Sequence, residues 1–486
     1  MSSRSRAAGV LVLYALFLFL TNPRVTVFED EASIVAAARK NVRQTIARFA
    51  AGYGEHDHPP LSDILLHLWL RSIPRSMAAV RAPFIVFYCL ALWILAETAH
   101  LLWNKRSTTV ALGIAWPAGY FLGRPAGWYT VAAMELAGLT WFYCRWRETG
   151  RKIHLAGLAA CALLLVYTNY FGWVFLAALA VDLVVRPAGR RFLRQFLLAM
   201  GAVALAFLPL VPVLLSEVQS KLSASRPWHQ KLVYGVYMTY SLLASEMVAP
   251  WTWPGMIVAA CGIGLFWFGW KNAASRRALL LLAGPLLLAL ALGILGWARM
   301  ALFFPWFLLF LTSAVGLART RAAPALAALM FAMGWLGVFT QRYAGAHRYI
   351  EPWQPVVSQV AEMSRPGDAI LSSHPSFYFY LSYLPGWEAV NGIPPEPLSI
   401  AGRILAPVGS WEPAVAGAGH IIYPRSNLMP WDAEEEVKFL DYARKNPRLD
   451  REWRFVEDRG VRIKRFFFPD VRQPEWRIEL QVWTKR

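Results

Sequence analysis

The chain has 486 residues, 57% hydrophobic and only 16% charged, with a mean hydropathy of +0.38. Soluble domains run near about a quarter charged, so this is the composition of a membrane protein. The net charge of +19 does not indicate nucleic-acid binding: from Gly345 onward 18 Lys/Arg balance 18 Asp/Glu, so the whole excess belongs to the apolar part. There the cations form short clusters between apolar runs, as the positive-inside rule expects of cytoplasmic loops.

Taken in chain order, Ser3-Arg4-Ser5-Arg6 and the apolar run after them resemble a signal peptide. Thr21-Asn22-Pro23-Arg24 has no small-x-small cleavage pattern, so the run reads as a retained signal-anchor helix. Taking roughly 17–25 apolar residues per span, membrane helices are expected near 7–22, 78–103, 107–123, 127–144, 154–170, 172–186, 194–215, 252–271, 277–297, 300–319 and 322–341. That makes about eleven spans. The clusters Arg4/Arg6, Lys105/Arg106, Arg145 to Lys152, Arg186 to Arg194, Lys271 to Arg277 and Arg319/Arg321 all fall on one side. This places the N-terminus in the cytoplasm and the tail beyond Arg342 outside. The four cysteines lie in or beside apolar runs and imply no disulfide framework.

Some segments read as interfacial helices. Ile34, Ala38, Val42, Ile46 and Phe49 share one helical face, with Arg39, Lys40 and Arg43 opposite, as in a helix lying on a membrane. Leu61 to Leu70 and Tyr234 to Val248 are similar. The tail reads as soluble α/β, with strands at Ala369–Ser372, Gly419–Tyr423, Phe455–Val456, Arg462–Phe468 and Ile478–Trp483, and helices at Ser376–Leu384 and Trp431–Lys445. The expected organisation is a transmembrane domain over 1–344, with a first external loop at 23–77, followed by an external α/β domain over 345–486. No nucleotide-binding glycine motif and no transporter-like internal repeat is present.

The first 344 positions hold twelve acidic residues, and half of them fall between Glu29 and Asp63. The loop reads Phe28-Glu29-Asp30-Glu31-Ala32 and later Glu55-His56-Asp57-His58-Pro59-Pro60-Leu61. Here the chain resembles GT-C-type glycosyltransferases that use polyprenyl-phosphate sugars, in the branch of protein O-mannosyltransferases and the lipid A aminoarabinose transferase. That branch carries an Asp-Glu pair after the first span and a His/Lys-Pro-Pro-Leu element opening the next helix. Asp30-Glu31 and His58-Pro59-Pro60-Leu61 match both. Arg81 matches an arginine at the start of the second span. Gly123-Arg124-Pro125 with Tyr129 resembles an external Arg…Tyr element. Thr168-Asn169-Tyr170-Phe171-Gly172 resembles a Thr-His-Tyr-Phe-Gly element, with Asn169 in place of histidine. Arg299 resembles a late external arginine, with Met300 where a tyrosine often follows. Trp353 through Asp368 resembles the entry to the family's external domain, so the resemblance covers essentially the whole chain.

The resemblance implies an inverting transfer of a monosaccharide from a polyprenyl-phosphate donor to a lipid, glycan or protein acceptor, on the periplasmic side of a bacterial inner membrane. Such a reaction needs a carboxylate to take the acceptor's proton, and cations to hold the departing phosphate. Asp30 is the candidate base, and Arg124 and Arg299 are candidate phosphate clamps, since a guanidinium fork suits phosphate oxygens. Each residue also has a plainer reading. Glu31 either orients the site or caps a helix. Asp57 and His58 either touch substrate, hold a divalent metal with Glu55 and His56, or are ordinary loop residues before a proline turn. Arg81 and Arg124 are either phosphate contacts or interfacial anchors, and Tyr129 and Tyr170 either ligands or aromatic-belt residues. Glu97 and Glu135 read as lying within reach of cytoplasmic helix ends and stay outside the site. The pattern fixes no cofactor and leaves a divalent metal open, membrane lipids are expected partners and nucleic acid is not. A transporter or lipid-linked-saccharide flippase is the alternative; it predicts carboxylates and broken helices at mid-membrane.

Reporter fusions after Arg106, Lys152, Arg194 and Arg277 should give cytoplasmic signals, and one after Gly345 an external signal. A cytoplasmic signal at Gly345 overturns the span count.

Overall fold

In the N-terminal helix Ser3–Leu20, Ala7, Leu11, Tyr14 and Leu18 are buried while Val12, Leu13 and Leu20 are each 67% exposed. One stripe packs on protein and the other presents bare hydrocarbon, which water would not tolerate but lipid does. The same inside-out surface recurs at Val181 and Val185, Leu205, Ile263 and Phe339. The computed structural model describes residues 3–40, 42–44, 46, 58–73, 76–186, 189–223, 227–291, 300–340, 343, 352–426, 433–458 and 476–485. They divide into two units: Met1–Asn22, Asn41–Ser72 and Ala78–Ala346 form a helical one, and Pro23–Lys40, Ile73–Met77 and His347–Arg486 form an α/β one.

Among the described residues of the helical unit, six helices are long and apolar enough to cross a membrane: Ser3–Leu20, Met77–Trp103, Arg190–Gln219, Trp253–Lys271, Ala273–Ala291 and Ala322–Thr340. Lys152–Thr168, Gly172–Val185 and Ala301–Gly316 are shorter apolar helices. The expected span 107–123 is broken. Arg106–Ala115 ends at Trp116, whose ψ of 115° is extended, and a short helix resumes at Gly119–Leu122. Pro117 is the cause, because it excludes helical geometry from the residue before it. Trp116 is held there by stacking on Phe304 at 4.2 Å and by donating its indole N–H to the Leu242 carbonyl at 2.8 Å.

The basic clusters converge at one end of this unit. Glu97 accepts from Arg106 at 2.9 Å and lies 3.4 Å from Arg4. Asp182 gathers Arg147 at 2.9 Å, Arg277 at 2.8 Å and Arg186 at 3.9 Å. The C-terminal end of the Met300–Gly316 helix lies there too, since a Cβ at Gly316 would touch the Lys105 side chain at 3.2 Å. Five of the six expected clusters thus occupy adjoining helix ends.

Among the described residues the α/β unit holds a six-stranded sheet in the order β2-β3-β1-β4-β6-β5. Its strands are β1 (Ala369–Leu371), β2 (Leu398–Ile400), β3 (Arg403–Ala406), β4 (His420–Ser426), β5 (Pro447–Asp458) and β6 (Trp476–Lys485). β1 runs parallel to β3 and β4, and the other pairings are antiparallel. Central β1 is buried throughout, as its apolar run required. One face joins Leu371, Ile421 and Tyr423 to Trp411, Phe439 and Ala443. The β2–β3 hairpin was not expected from the sequence. Its strands are three and four residues long, and it turns through Ala401 and Gly402, both at positive φ (49° and 79°). The helix Trp353–Met363 was likewise missed. The expected strand Arg462–Phe468 lies outside the described residues.

Residues 23–40 join this α/β unit, whereas the sequence reading kept the whole first loop with the membrane helices. The helix Glu29–Ala38 packs on the helix Pro375–Leu381. Val27 donates its N–H to the Tyr380 hydroxyl at 2.8 Å, and Arg39 donates to Ser382 at 3.0 Å while lying over the Tyr383 ring at 5.0 Å. The helix gives way to a turn at Arg39 and does not continue unbroken to Phe49, and its apolar stripe of Ile34, Val35 and Ala38 is covered by protein. It is therefore a packed helix, where the stripe alone suggested one lying on lipid.

Gly392 sits against this helix with φ 75°, where a Cβ would come 2.8 Å from that of Ala36. Gly392→Ala should cost about 1–2 kcal/mol for the left-handed backbone alone and loosen the seat of the Glu29–Ala38 helix. The check is a lower first unfolding temperature with faster proteolysis within 23–40; wild-type values for both would show that the seat accepts a methyl group.

Candidate active site

The acidic pair opens the helix Glu29–Ala38, whose first turn carries Glu29, Asp30 and Glu31. The N-cap Phe28 makes no side-chain cap hydrogen bond, and three carboxylates there offset the positive end of the helix dipole. The three differ in exposure: Glu29 and Glu31 are buried, Glu31 completely, whereas Asp30 is half-buried. Asp30 is thus the member of the trio with surface to meet another molecule.

In the helical unit, the ends of several helices opposite the arginine-rich end form a second group. Arg124 lies in the link after Gly119–Leu122 and is fully buried. It donates from Nη2 to the Thr21 hydroxyl at 3.0 Å and lies 4.2 Å from the centre of the Tyr120 ring. Its Nε and Nη1 have no hydrogen-bond partner among the described residues, and the same holds for the buried hydroxyls of Tyr14 and Tyr88. Burial, helped by the charge of nearby Arg81 and opposed by Tyr120, lowers its guanidinium to about 10. Arg81, also fully buried, donates to the Asn22 side chain at 2.9 Å. Glycine admits the tyrosines: a Cβ at Gly119 would collide with the Tyr88 hydroxyl, and one at Gly123 would lie 2.6 Å from the Tyr88 ring. A desolvated guanidinium with two donor atoms to spare, a second arginine nearby and phenols beside it favour an oxyanion with several acceptor oxygens.

His58 is buried and its ring lies 6.0 Å from that of Trp128, with the Tyr129 ring tilted against that tryptophan at 4.4 Å. Tyr129 is 1% exposed, a core residue where an aromatic-belt position was one expectation. Tyr170 turns elsewhere, edge-on to Phe207 at 6.2 Å, and Asn169 accepts the Phe171 N–H at 2.9 Å to shape the turn before Gly172. Asp57, with Glu55 and His56, and Arg299 lie outside the described residues. Among the described residues no three metal-ligating side chains cluster.

Two carboxylates enter that the sequence reading left out. Asp63, in the helix Leu61–Ser72, is buried and has Ser62 as a weak donor at 3.4 Å. Its helix packs on Trp128–Thr149 and Lys152–Thr168. Glu135 was read as lying near the cytoplasmic end, but it accepts from Thr168, the last residue of its helix, at 3.0 Å. By helical rise it lies about 10 Å from the Trp128 end and about 21 Å from Thr149. It therefore belongs with the half of the bundle that holds Arg124. Glu97 does lie where expected, at the arginine-rich end.

No protein-family model matches the chain, and no curated protein is similar to it in sequence. The structure is similar to two crystal structures of ArnT from Cupriavidus metallidurans. The TM-score is 0.60 at 12% identity with the apo state and 0.57 at 11% with the form bound to undecaprenyl phosphate; each match covers 99% of this chain and 98% of that one. The chain has the fold of these ArnT structures, apolar helices together with an α/β unit.

Burial pushes the Asp63 carboxyl from 3.8 up to about 7. The unfolded chain ionises it near 3.8, so between about pH 4 and 7 the folded state alone holds this proton, and stability falls as pH rises through that window. Asp63→Asn should therefore gain on wild type between pH 5 and 8, by about 3 kcal/mol. Thermal unfolding of both proteins at the two pH values checks this; a difference independent of pH would show that Asp63 ionises normally.

Proposed function

We propose that the protein is an integral-membrane glycosyltransferase that moves a monosaccharide from a polyprenyl-phosphate donor to an acceptor hydroxyl, with inversion, on the external face of a bacterial inner membrane. The observation that carries this reading is Arg124: a fully buried guanidinium with two nitrogens lacking partners among the described residues, in a neighbourhood of phenols and a second arginine. The ArnT fold supports it, and so does the ligand of one ArnT structure, undecaprenyl phosphate, which presents the same phosphate chemistry.

In the reaction the acceptor oxygen attacks the anomeric carbon, and the bond from that carbon to the phosphate oxygen breaks. The acceptor's proton passes to Asp30, and the electron pair leaves on the polyprenyl phosphate. Arg124 and Arg299 offset the charge that grows there, where preorganised donors act most strongly. Glu31, wholly buried beside Asp30, orients the helix start. Asp57 and His58 contact donor or acceptor, Tyr129 supports His58 through Trp128, and Tyr170, packed on Phe207, stands apart. A flippase would use the same phosphate contacts but leave the sugar–phosphate bond intact.

Purified protein in vesicles with a panel of polyprenyl-phosphate sugars should release free polyprenyl phosphate when acceptor is added. Asp30→Asn should abolish release while donor binding persists, and Glu31→Gln should cost less. Arg124→Ala should lower turnover by about a hundredfold or more, the scale for losing one oxyanion donor. Transport of intact donor without release would establish the flippase. Full activity in both acid variants would put the base elsewhere.

A further inference from the structure

At the arginine-rich end, the helical unit contains a cavity of about 290 Å³ that touches none of the residues proposed for sugar transfer. This is near the lower bound of small-molecule sites. Arg186 and Arg277 line it together with Leu179, Leu281, Leu309 and Trp306. Leu281 follows Arg277 by one helical turn into the bundle, and Leu179 precedes Arg186 by two, so the apolar wall runs inward from the two cations.

The charge at this end is unbalanced. Asp182 is the shared acceptor of Arg147, Arg186 and Arg277 and also takes the Tyr143 hydroxyl at 2.9 Å. Three guanidiniums around one carboxylate leave a surplus of two positive charges. Arg186 holds the longest of the three contacts, 3.9 Å, and its side chain is 38% exposed. On the outer faces of the same helices Val184, Val185 and Leu280 are exposed apolar residues, so the cavity borders the surface that meets lipid.

A small soluble anion would satisfy the arginines and leave the apolar wall bare. A neutral hydrocarbon would fill the wall and leave the charge. We propose that this cavity binds an anionic phospholipid, its phosphate between Arg186 and Arg277 and one acyl chain along Leu179, Leu281 and Leu309. Basic pockets between membrane helices suit such headgroups, each arginine adding attraction that a zwitterionic lipid does not share.

The test is native mass spectrometry of the full-length protein, equilibrated with equal amounts of phosphatidylglycerol and phosphatidylcholine of the same chain length. Phosphatidylglycerol should be retained in preference, and Arg186→Gln should weaken that retention about fivefold while leaving phosphatidylcholine unchanged. Arg277→Gln risks the fold by releasing Asp182, so the second variant is Ala278→Trp, which fills the cavity and keeps both arginines; it should remove the preferred lipid. Inorganic phosphate at millimolar concentration should not displace it. Equal retention of the two lipids, retention unchanged in both variants, or displacement by phosphate alone would each overturn the proposal.

Discussion

Charge inside a lipid-facing bundle has to be paired or moved to a helix end, and the helical unit follows this constraint throughout. At one end Glu97 and Asp182 pair with five arginines, and these ion pairs tie six helices together. At the other end the solution differs. Arg81 and Arg124 are buried against Asn22, Thr21 and tyrosines, and the partners of Arg124 are neutral. A guanidinium desolvated against neutral groups is costly to keep, and an arriving anion recovers much of that cost. The first end holds helices in register through ion pairs and keeps a cationic surplus, whereas at the second Arg124 has only neutral partners and donors left for an anion.

The carboxylates follow a different logic. Asp30 and Glu31 are close in sequence to the first membrane helix, yet they are carried by the α/β unit, clamped through Val27 to Tyr380 and through Arg39 to Ser382. Their helix gains no side-chain cap hydrogen bond from Phe28, and the acids themselves stabilise its first turn. The same residues therefore serve the local fold and the proposed chemistry. This is why the bland reading of an acidic helix start and the functional one fit a single sequence pattern.

Much of this was legible in the chain. Hydropathy located the membrane helices, because twenty apolar residues admit few alternatives, and the cation clusters ordered their ends. The break at Pro117 could have been read from the proline itself, but the surrounding hydropathy concealed it. Asp63 and Glu135 were harder to read. Nothing local marks Asp63 as buried, and Glu135, seven residues into the helix Trp128–Thr149, lies nearer the Trp128 end than the cytoplasmic end the sequence suggests. The apolar stripe Ile34–Ala38 was correctly found, but its partner, Pro375–Leu381, is some 340 positions away. Periodicity tells that a face is covered and not by what. Arg124 was marked from its motif, and only the packing revealed that it is fully buried.

The clamp between Val27 and Tyr380 also bears on the timing of synthesis. The two residues are 353 positions apart, and ribosomes add about 5–20 residues per second, so the Glu29–Ala38 helix leaves the ribosome roughly 20–70 s before its seat exists. During that interval its apolar face has no protein cover from the α/β unit, and the adjacent membrane, or a chaperone, is the available shelter. The acid-bearing segment reaches its final place only when the chain is nearly complete, so a nascent or truncated copy can insert its helices while its acids are still without their seat.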